Sequence, residues 1–282
     1  MIVITDSQTN FLYLADTLPV RFPVFFENFQ AVLQKACIPC ELLSNTRDIW
    51  VVDYMPIQVS ESRFIRFIYN PDYLRDTLKW RKIISDSGAI CSALGILYED
   101  SNILLDGGNL IRASDKLILC DKVIKENPHY TERRLIAELE RLFQVDRIIF
   151  IPTDPYDMFG HADGMVRFLD DRTVLINDYS RESEDFRLSL HMALKSARLE
   201  YLELPYNPYS NANDLDAKGI YINYLQMEQG IVLPVYGLEE DEVVLRRIEG
   251  LFPGLKIIPL KSNEIAKEGG VLNCISWNIW KT

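Results

Sequence analysis

A histidine and an aspartate in the middle of the chain have the spacing of a proton-transfer pair. His161 and Asp163 are separated by one residue in the segment Gly160-His161-Ala162-Asp163. If this segment opens a strand, the alternation of side chains places both groups on one face. An imidazole beside a carboxylate suits acid–base chemistry, and the carboxylate can bind a cation. The alternative is a surface turn with a partly exposed histidine and a capping aspartate.

Cys274 is the candidate nucleophile, because it follows the glycine pair Gly269-Gly270 near the end of the chain. Glycines permit a sharp turn and a close approach of a ligand, which a nucleophile at a cleft requires. The sequence has five cysteines, an odd number, and they are scattered. This usage is typical of a reducing compartment without a disulfide framework. A small buried core residue is the alternative for Cys274.

Two further segments carry acids. Asp48 follows Arg47 and precedes an apolar run. A buried carboxylate is costly unless it is paired, so Asp48 either pairs with Arg47 or another donor, or binds a cationic ligand. The segment Asp106-Gly107-Gly108-Asn109 is either a tight turn into the next strand or, through Asp106, additional negative charge at the same site.

The elements that must position these residues are short strands and amphipathic helices. Apolar periodicity predicts five helices, near 24–36, 72–84, 131–144, 183–198 and 239–252. Polar turns predict three hairpins, which pair 110–113 with 117–120, 165–168 with 173–176, and 220–223 with 230–233. A further strand is expected after each following helix, at 147–150, 201–204 and 255–258, and residues 1–6 are also strand-like.

The predicted unit is strand, strand, helix, strand, repeated about every 50 residues. Five such units predict an α/β fold in the form of a five-bladed propeller around a central channel. An open doubly wound sheet is the alternative, but it would alternate single strands with helices instead of beginning each unit with a hairpin. No linker rich in Pro, Gly or Ser divides the chain, so we expect residues 1–282 to form a single catalytic domain.

Taken in order, the four segments resemble the guanidino-group-modifying (pentein) superfamily, and within it the agmatine deiminase and bacterial peptidylarginine deiminase branch. The residues that carry the resemblance are Arg47-Asp48, Asp106–Asn109, Gly160–Asp163 and Gly269-Gly270 to Cys274. The chain departs from the branch in three ways. Asn273 stands where His usually precedes the nucleophile, Asp106 stands where Glu is common, and the usual Gly-Pro after Asp48 is missing.

The resemblance implies a cysteine hydrolase that acts on a guanidino group. Asp48 and Asp163 would hold the planar guanidinium by bidentate hydrogen bonds. Cys274 would attack its carbon to give a covalent thiouronium, while His161 would protonate the departing amine and then activate water. An agmatine-like substrate is expected. The alternatives are a peptidyl-arginine deiminase, amidinotransferase or dihydrolase chemistry, and an inactive binding protein that retains the fold.

Four more side chains are candidates for substrate contact. Trp50 could form a wall of the substrate channel, and Asp106 and Asn109 lie in the acidic Gly-Gly segment. Asp157, four residues before His161, could meet a second cationic end of the substrate. Trp277 also flanks a motif position and could likewise form a wall of the channel.

Composition restricts the partners. The formal net charge is −11, which argues against a nucleic-acid surface and suits a cationic guanidino small molecule. Neither a cofactor nor a metal is expected, because the implied mechanism needs none and the Cys37–Cys40 spacing has no second pair. No secretion signal or apolar run of about 18 residues is seen, so we expect a cytoplasmic protein without membrane association. A homo-oligomer is compatible with the sequence.

Overall fold

Short strands in groups of three are the principal elements of the protein. The structure is a computed structural model that describes residues 3–75, 82–209, 211–213 and 215–282. The strands of this part of the chain are β1 Phe11–Ala15, β2 Cys40–Leu43, β3 Ile57–Ser60, β4 Arg63–Ile68, β5 Glu99–Leu104, β6 Ile111–Arg112, β7 Lys116–Cys120, β8 Arg147–Ile151, β9 Val166–Phe168, β10 Thr173–Asn177, β11 Glu200–Leu204, β12 Leu225–Met227, β13 Gly230–Val235, β14 Ile257–Lys261 and β15 Trp277–Ile279.

The helices lie mainly between the second and third strand of each group. Within the described residues the α-helices are α1 Leu18–Arg21, α2 Pro23–Ala36, α3 Val51–Tyr54, α4 Asp72–Arg75, α5 Ser87–Leu94, α6 Lys122–Glu126, α7 Glu132–Phe143, α8 Glu184–Ser196, α9 Glu240–Leu251 and α10 Asn263–Ala266. The same part of the chain also contains three short 3-10 helices, Asp6–Gln8, Gly107–Asn109 and Ala162–Gly164.

The described strands form five three-stranded sheets with one common pattern. The strand orders are β15-β1-β2, β3-β4-β5, β6-β7-β8, β9-β10-β11 and β12-β13-β14. In each sheet the first pair is antiparallel, whereas the second pair is parallel and is connected through helix. Because β15 pairs with β1, the last strand completes the first sheet. This is the predicted strand, strand, helix, strand repeat.

Helix α7 shows how the sequence determines the bounds and the buried face of one of these helices. Thr131 caps its first turn by accepting a hydrogen bond from the backbone N–H of Arg134, and Gln144 ends it in the left-handed conformation. Leu135 and Leu139 are buried on one stripe of the helix. They pack in a core that also contains side chains of strands β7 and β8. Each such leucine contributes roughly 1.5–3 kcal/mol when it is removed from water.

Most predicted elements are confirmed. The helices near 24–36, 131–144, 183–198 and 239–252 correspond to α2, α7, α8 and α9. In the predicted helix 72–84, α4 covers the first turn, residues 76–81 lie outside the described part, and residues 82–84 are not helical. Helix α5 was not predicted. The hairpins β6–β7 and β9–β10 are confirmed.

Two strand predictions are wrong, and a third is displaced by two residues. Residues 220–223 do not pair with β13, because the partner of β13 is β12, while Ile220 makes only an isolated bridge to Tyr206. At the N-terminus, residues 1 and 2 lie outside the described part, residues 3–5 form no strand, and Asp6–Gln8 is a 3-10 helix. The strand expected at 255–258 begins at Ile257. Among the helices of the described residues, none combines the length and apolar character that a membrane crossing needs.

Candidate active site

The candidate nucleophile Cys274 lies in the loop between α10 and β15 and is 9% exposed. Its Sγ lies 3.5 Å from Oδ2 of Asp163 and 3.4 Å from Oδ1 of Asn223. A Cβ on Gly270 would lie 3.0 Å from this sulfur and 2.7 Å from the ring of Trp50. The absence of a side chain at Gly270 therefore gives the thiol its space.

The candidate acid–base group, His161, lies between two carboxylates. Its Nε2 is 3.0 Å from Oδ2 of Asp106, and its Nδ1 is 3.6 Å from Oδ1 of Asp53. Its backbone N–H donates to Asp157 at 3.0 Å. Burial lowers the His161 pKa, but the charges of Asp53 and Asp106 outweigh burial and raise this pKa to about 10. The imidazole is therefore held as the imidazolium, a proton donor.

Asp163 is 1% exposed and belongs to a chain of polar contacts. Its Oδ2 accepts a hydrogen bond of 2.7 Å from the amide of Asn273. The amide oxygen of Asn273 accepts from Nη1 of Arg167 at 3.1 Å. Burial raises the Asp163 pKa, while His161, Asn273 and Arg167 act in the opposite direction. The residue before the nucleophile thus orients the carboxylate that faces it.

The environment of Cys274 disfavours a thiolate in the free protein. Burial raises the pKa of its thiol well above the usual value, and the negative charges of Asp163 and Asp53 raise it further. A cation beside the sulfur offsets this repulsion. The thiol is therefore set up to ionise when a positively charged ligand arrives.

A cavity of about 400 Å³ lies in front of the thiol. It contains acidic, aromatic and apolar side chains, and both Cys274 and His161 reach it. Its described lining residues are Arg21, Asp48, Trp50, Asp53, Tyr69, Tyr73, Leu74, Ile83, Met158, Phe159, His161, Leu215, Glu268, Gly269, Gly270 and Cys274. Such a cavity has the size and mixed polarity of a small-molecule site.

Asp48 and Trp50 lie where the sequence placed them, in the cavity lining. The partner of Asp48 is not Arg47, which donates instead to the backbone oxygen of Ile84. Nη1 of Arg21 lies 3.5 Å from Oδ1 of Asp48. Burial raises the Asp48 pKa to about 6, although the N–H of Ile49 and the charge of Arg21 lower it.

Asp163 is absent from the described lining of this cavity and reaches it only through its contact with the sulfur of Cys274, and three further candidates for substrate contact are absent as well. Asp106 contacts His161 and, at 3.4 Å, the ammonium of Lys122. Asn109 accepts a hydrogen bond of 2.8 Å from the backbone N–H of Cys120. Asp157 accepts the backbone N–H groups of Phe159 and His161 and lines a neighbouring cavity of about 230 Å³. In this structure the side chains of Asp106, Asn109 and Asp157 therefore contact neighbouring groups of the protein and do not line this cavity. Trp277 donates to the backbone oxygen of Pro56 and is likewise outside the described lining.

The local geometry of the His161–Asp163 pair also differs from the prediction. Asp163 belongs to the 3-10 helix Ala162–Gly164, and β9 begins only at Val166. The two side chains nevertheless converge on one point. A Cβ on Gly108 would lie 2.8 Å from Nδ1 of His161 and 3.3 Å from Oδ2 of Asp163. The Asp-Gly-Gly-Asn segment is thus a turn whose second glycine lets these groups approach.

Several cavity residues were not assigned from the sequence, namely Arg21, Asp53, Tyr69, Tyr73 and Glu268. For Asp53 a signal existed, since it is a second acid in the apolar run after Asp48. Arg21 and Glu268 are separated by most of the chain and meet only in the fold. The described residues contain no group of three or more His, Cys, Asp or Glu side chains that could hold a metal ion.

A cysteine, an imidazolium and several acids at one cavity of a five-fold β-β-α-β repeat are typical of the pentein class, the guanidino-group-modifying enzymes. Comparison with known proteins agrees. The family model of Porphyromonas-type peptidyl-arginine deiminase matches residues 10–279, and the chain belongs to this family. The predicted family is therefore confirmed.

Curated relatives are agmatine deiminases by name. A putative agmatine deiminase of Streptococcus mutans is 23% identical, and the match covers 66% of this chain and 60% of that protein. A putative agmatine deiminase of Photobacterium profundum is 24% identical over 95% of this chain and 85% of its own length. The chain thus spans less than two thirds of the first relative and most of the second.

Solved structures confirm the predicted five-bladed α/β fold. The agmatine deiminase of C. jejuni superimposes with a TM-score of 0.80 at 18% identity, covering 99% of this chain and 96% of that chain. A dimethylarginine dimethylaminohydrolase (DDAH) from Pseudomonas aeruginosa gives a TM-score of 0.61 at 13% identity, covering 96% and 100%. The latter structure contains citrulline.

Proposed function

We propose that this protein is a cysteine-dependent deiminase that converts the guanidino group of a small, agmatine-like cation to a ureido group and releases ammonia. The observation that carries the proposal is the position of Cys274, whose sulfur lies 3.5 Å from Asp163 at a cavity that His161 also lines. The names of the relatives support agmatine as the first compound to test. We place this activity in the cytoplasm and in one domain that covers residues 1–282.

Binding is the first step of the proposed mechanism. Asp48 and Asp163 hold the guanidinium through charge-assisted hydrogen bonds, which orient its carbon toward the sulfur. Asp53 adds a third carboxylate on the His161 side of the cavity. The cation also lowers the thiol pKa, because it compensates the charges of Asp163 and Asp53 that oppose ionisation. Substrate binding and nucleophile activation are thus coupled.

In the second step the thiolate of Cys274 attacks the guanidinium carbon. The carbon–nitrogen bond to one terminal nitrogen breaks, and His161 gives its proton to that nitrogen, so ammonia leaves and a thiouronium remains on the sulfur. His161, now neutral, takes a proton from a water molecule that attacks the same carbon. The carbon–sulfur bond then breaks, which releases the ureido product and regenerates the thiol site.

The test is ammonia release from agmatine, free arginine, methylated arginine and an arginyl peptide, with Cys274→Ala as the control. We expect turnover of agmatine by the wild type and none by the variant. Preference for the arginyl peptide would replace the small-molecule assignment with a peptidyl-arginine deiminase. Equal signals from wild type and Cys274→Ala on every compound would overturn the enzymatic proposal in favour of a binding protein.

A further inference from the structure

Arg21 is a cationic side chain of the protein that contacts two of the acids that line the cavity, Asp48 and Glu268. The guanidinium of Arg21 lies with Nη2 at 2.8 Å from Oε2 of Glu268 and with Nη1 at 3.5 Å from Oδ1 of Asp48. All three residues line the cavity that contains Cys274. They come from α1, from the segment after β2 and from the segment after α10, so only the fold brings them together.

The two contacts of Arg21 differ in strength. The distance to Glu268 is that of a charge-assisted hydrogen bond, whereas the distance to Asp48 is longer than such bonds usually are. The side chain of Arg21 is 40% exposed and that of Glu268 is 39% exposed, while Asp48 is almost enclosed at 9%. Arg21 can therefore move into solvent, but Asp48 loses its positively charged neighbour when it does.

Among the described residues, Arg21 is the cation that these two carboxylates share, so one positive charge faces two negative charges at the end of the cavity. We propose that Arg21 occupies the place of the substrate charges, and that a productive substrate displaces it with two cationic groups. The guanidinium of the substrate binds Asp48, and its distal ammonium binds Glu268. This inference rests on the proposed function and makes Arg21 and Glu268 the residues that select its dicationic substrate.

The proposal makes Arg21 and Glu268 specificity-determining residues with opposite effects. A dication replaces both contacts of Arg21 and compensates both acids. A guanidine of the same length without the amine replaces only the contact to Asp48. A compound with a distal carboxylate brings a like charge to Glu268, which repels it. Agmatine is therefore favoured over n-butylguanidine, and n-butylguanidine over 4-guanidinobutyrate.

The experiment compares KM and kcat for these three compounds in wild type, Glu268→Gln and Arg21→Gln. Because the amide keeps a hydrogen-bond acceptor but removes the negative charge of a half-exposed group, Glu268→Gln should raise the KM of agmatine about threefold to fivefold and change that of n-butylguanidine by less than about twofold. Arg21→Gln should lower the KM of agmatine with kcat retained. The control is Arg246→Gln, which removes the same charge from an exposed pair with Glu242 on α9. It should leave every KM unchanged.

Two outcomes overturn the inference while the deiminase activity stands. One is an equal effect of Glu268→Gln on agmatine and n-butylguanidine. The other is a higher KM for 4-guanidinobutyrate in Arg21→Gln, which would make Arg21 a receptor for an anionic group. Calorimetric binding of agmatine to Cys274→Ala, with and without Arg21→Gln, separates the inference from the proposed function. Tighter binding in the double variant supports the inference even where turnover fails, and equal binding contradicts it.

Discussion

The sulfur of Cys274 lies 3.5 Å from a carboxylate oxygen of Asp163, although 111 positions separate the two residues in the chain. Burial raises the pKa of the Cys274 thiol, and the carboxylate beside the sulfur raises this pKa further. The arrangement is costly for the free protein and becomes favourable when a cation lies between or beside the two groups. The site is therefore organised around a charge that the ligand supplies.

Asp106→Asn should lower the upper pH limit of activity. Burial lowers the pKa of His161, while Asp53 and Asp106 raise it to about 10, and the protonated ring is the proposed acid. Loss of one carboxylate lowers this pKa, so the alkaline limb of kcat/KM should move down by about one unit or more. Asp100→Asn is the control, because it removes a surface ion pair with Arg66. An unchanged alkaline limb in Asp106→Asn would contradict the proposed role of Asp106.

Asp48 should make agmatine binding depend on pH near 6. Burial raises its pKa to about 6, so the carboxylate is ionised above this value and protonated below it. The KM of agmatine should rise as the pH falls through 6, by about tenfold per unit at the limit. Steady-state kinetics between pH 5 and 8 measure this in wild type and in Asp48→Asn. The variant should bind weakly throughout and lack the inflection; an inflection that persists would exclude Asp48 as its source.

Asn273→Ala should impair catalysis through Asp163. The amide donates to Oδ2 of Asp163 at 2.7 Å and lowers the pKa of that buried carboxyl. Without this donor we expect the Asp163 pKa to rise, the acid limb of kcat/KM to move to higher pH, and kcat/KM to fall about tenfold to a hundredfold. A purely structural role would lower Tm and leave the pH profile in place, and that result would refute the assignment.

Gly108→Ala should disable the site with little effect on the rest of the fold. The new Cβ would lie 2.8 Å from Oδ1 of Asp53 and 2.8 Å from Nδ1 of His161, too close for either group to keep its position. A displacement of this kind costs about a hundredfold in kcat. Gly250→Ala on α9 is the matched control, because its Cβ meets nothing within 4 Å. It should retain activity and gain up to about 1 kcal/mol of stability. Equal kcat in both variants would show that the close approach at Gly108 is unimportant.

The repeat could be predicted from the sequence because its signals are local. The stripe of α7 and the hairpin β6–β7 follow from residue periodicity and turn chemistry within a few positions. The strand prediction for residues 220–223 is wrong because the apolar residues of this segment are buried without pairing with β13. Tyr221 and Ile222 are fully enclosed, and Asn223 accepts hydrogen bonds from the backbone N–H groups of Asn273 and Cys274. A residue that holds the nucleophile loop looks like a strand residue in the sequence.

The candidate site could be predicted only in part from the sequence, because some of its contacts form between residues far apart in the chain. The positions of His161, Asp48 and Cys274 could be named because their short motifs resemble those of a known superfamily. The pair of Arg21 with Glu268 has no motif, and its partners are 247 positions apart. Likewise the sequence left Asp157 as a candidate cation ligand, whereas its two carboxylate oxygens accept backbone N–H groups. Such assignments depend on tertiary contacts that periodicity and spacing do not encode.

Alkylation of Cys274 tests the central claim most directly. The reagents are 2-chloroacetamidine, a cation of guanidinium-like shape, and 2-chloroacetamide, its neutral counterpart, and peptide mass spectrometry measures the rate at each cysteine near pH 7. Because a cation relieves the repulsion that raises the thiol pKa, the amidine should modify Cys274 at least about a hundredfold faster than the amide. Exposed Cys37 provides the internal control and should show no comparable preference. Equal rates of the two reagents at Cys274, or modification that agmatine does not slow, would contradict a site in which the bound cation activates this thiol.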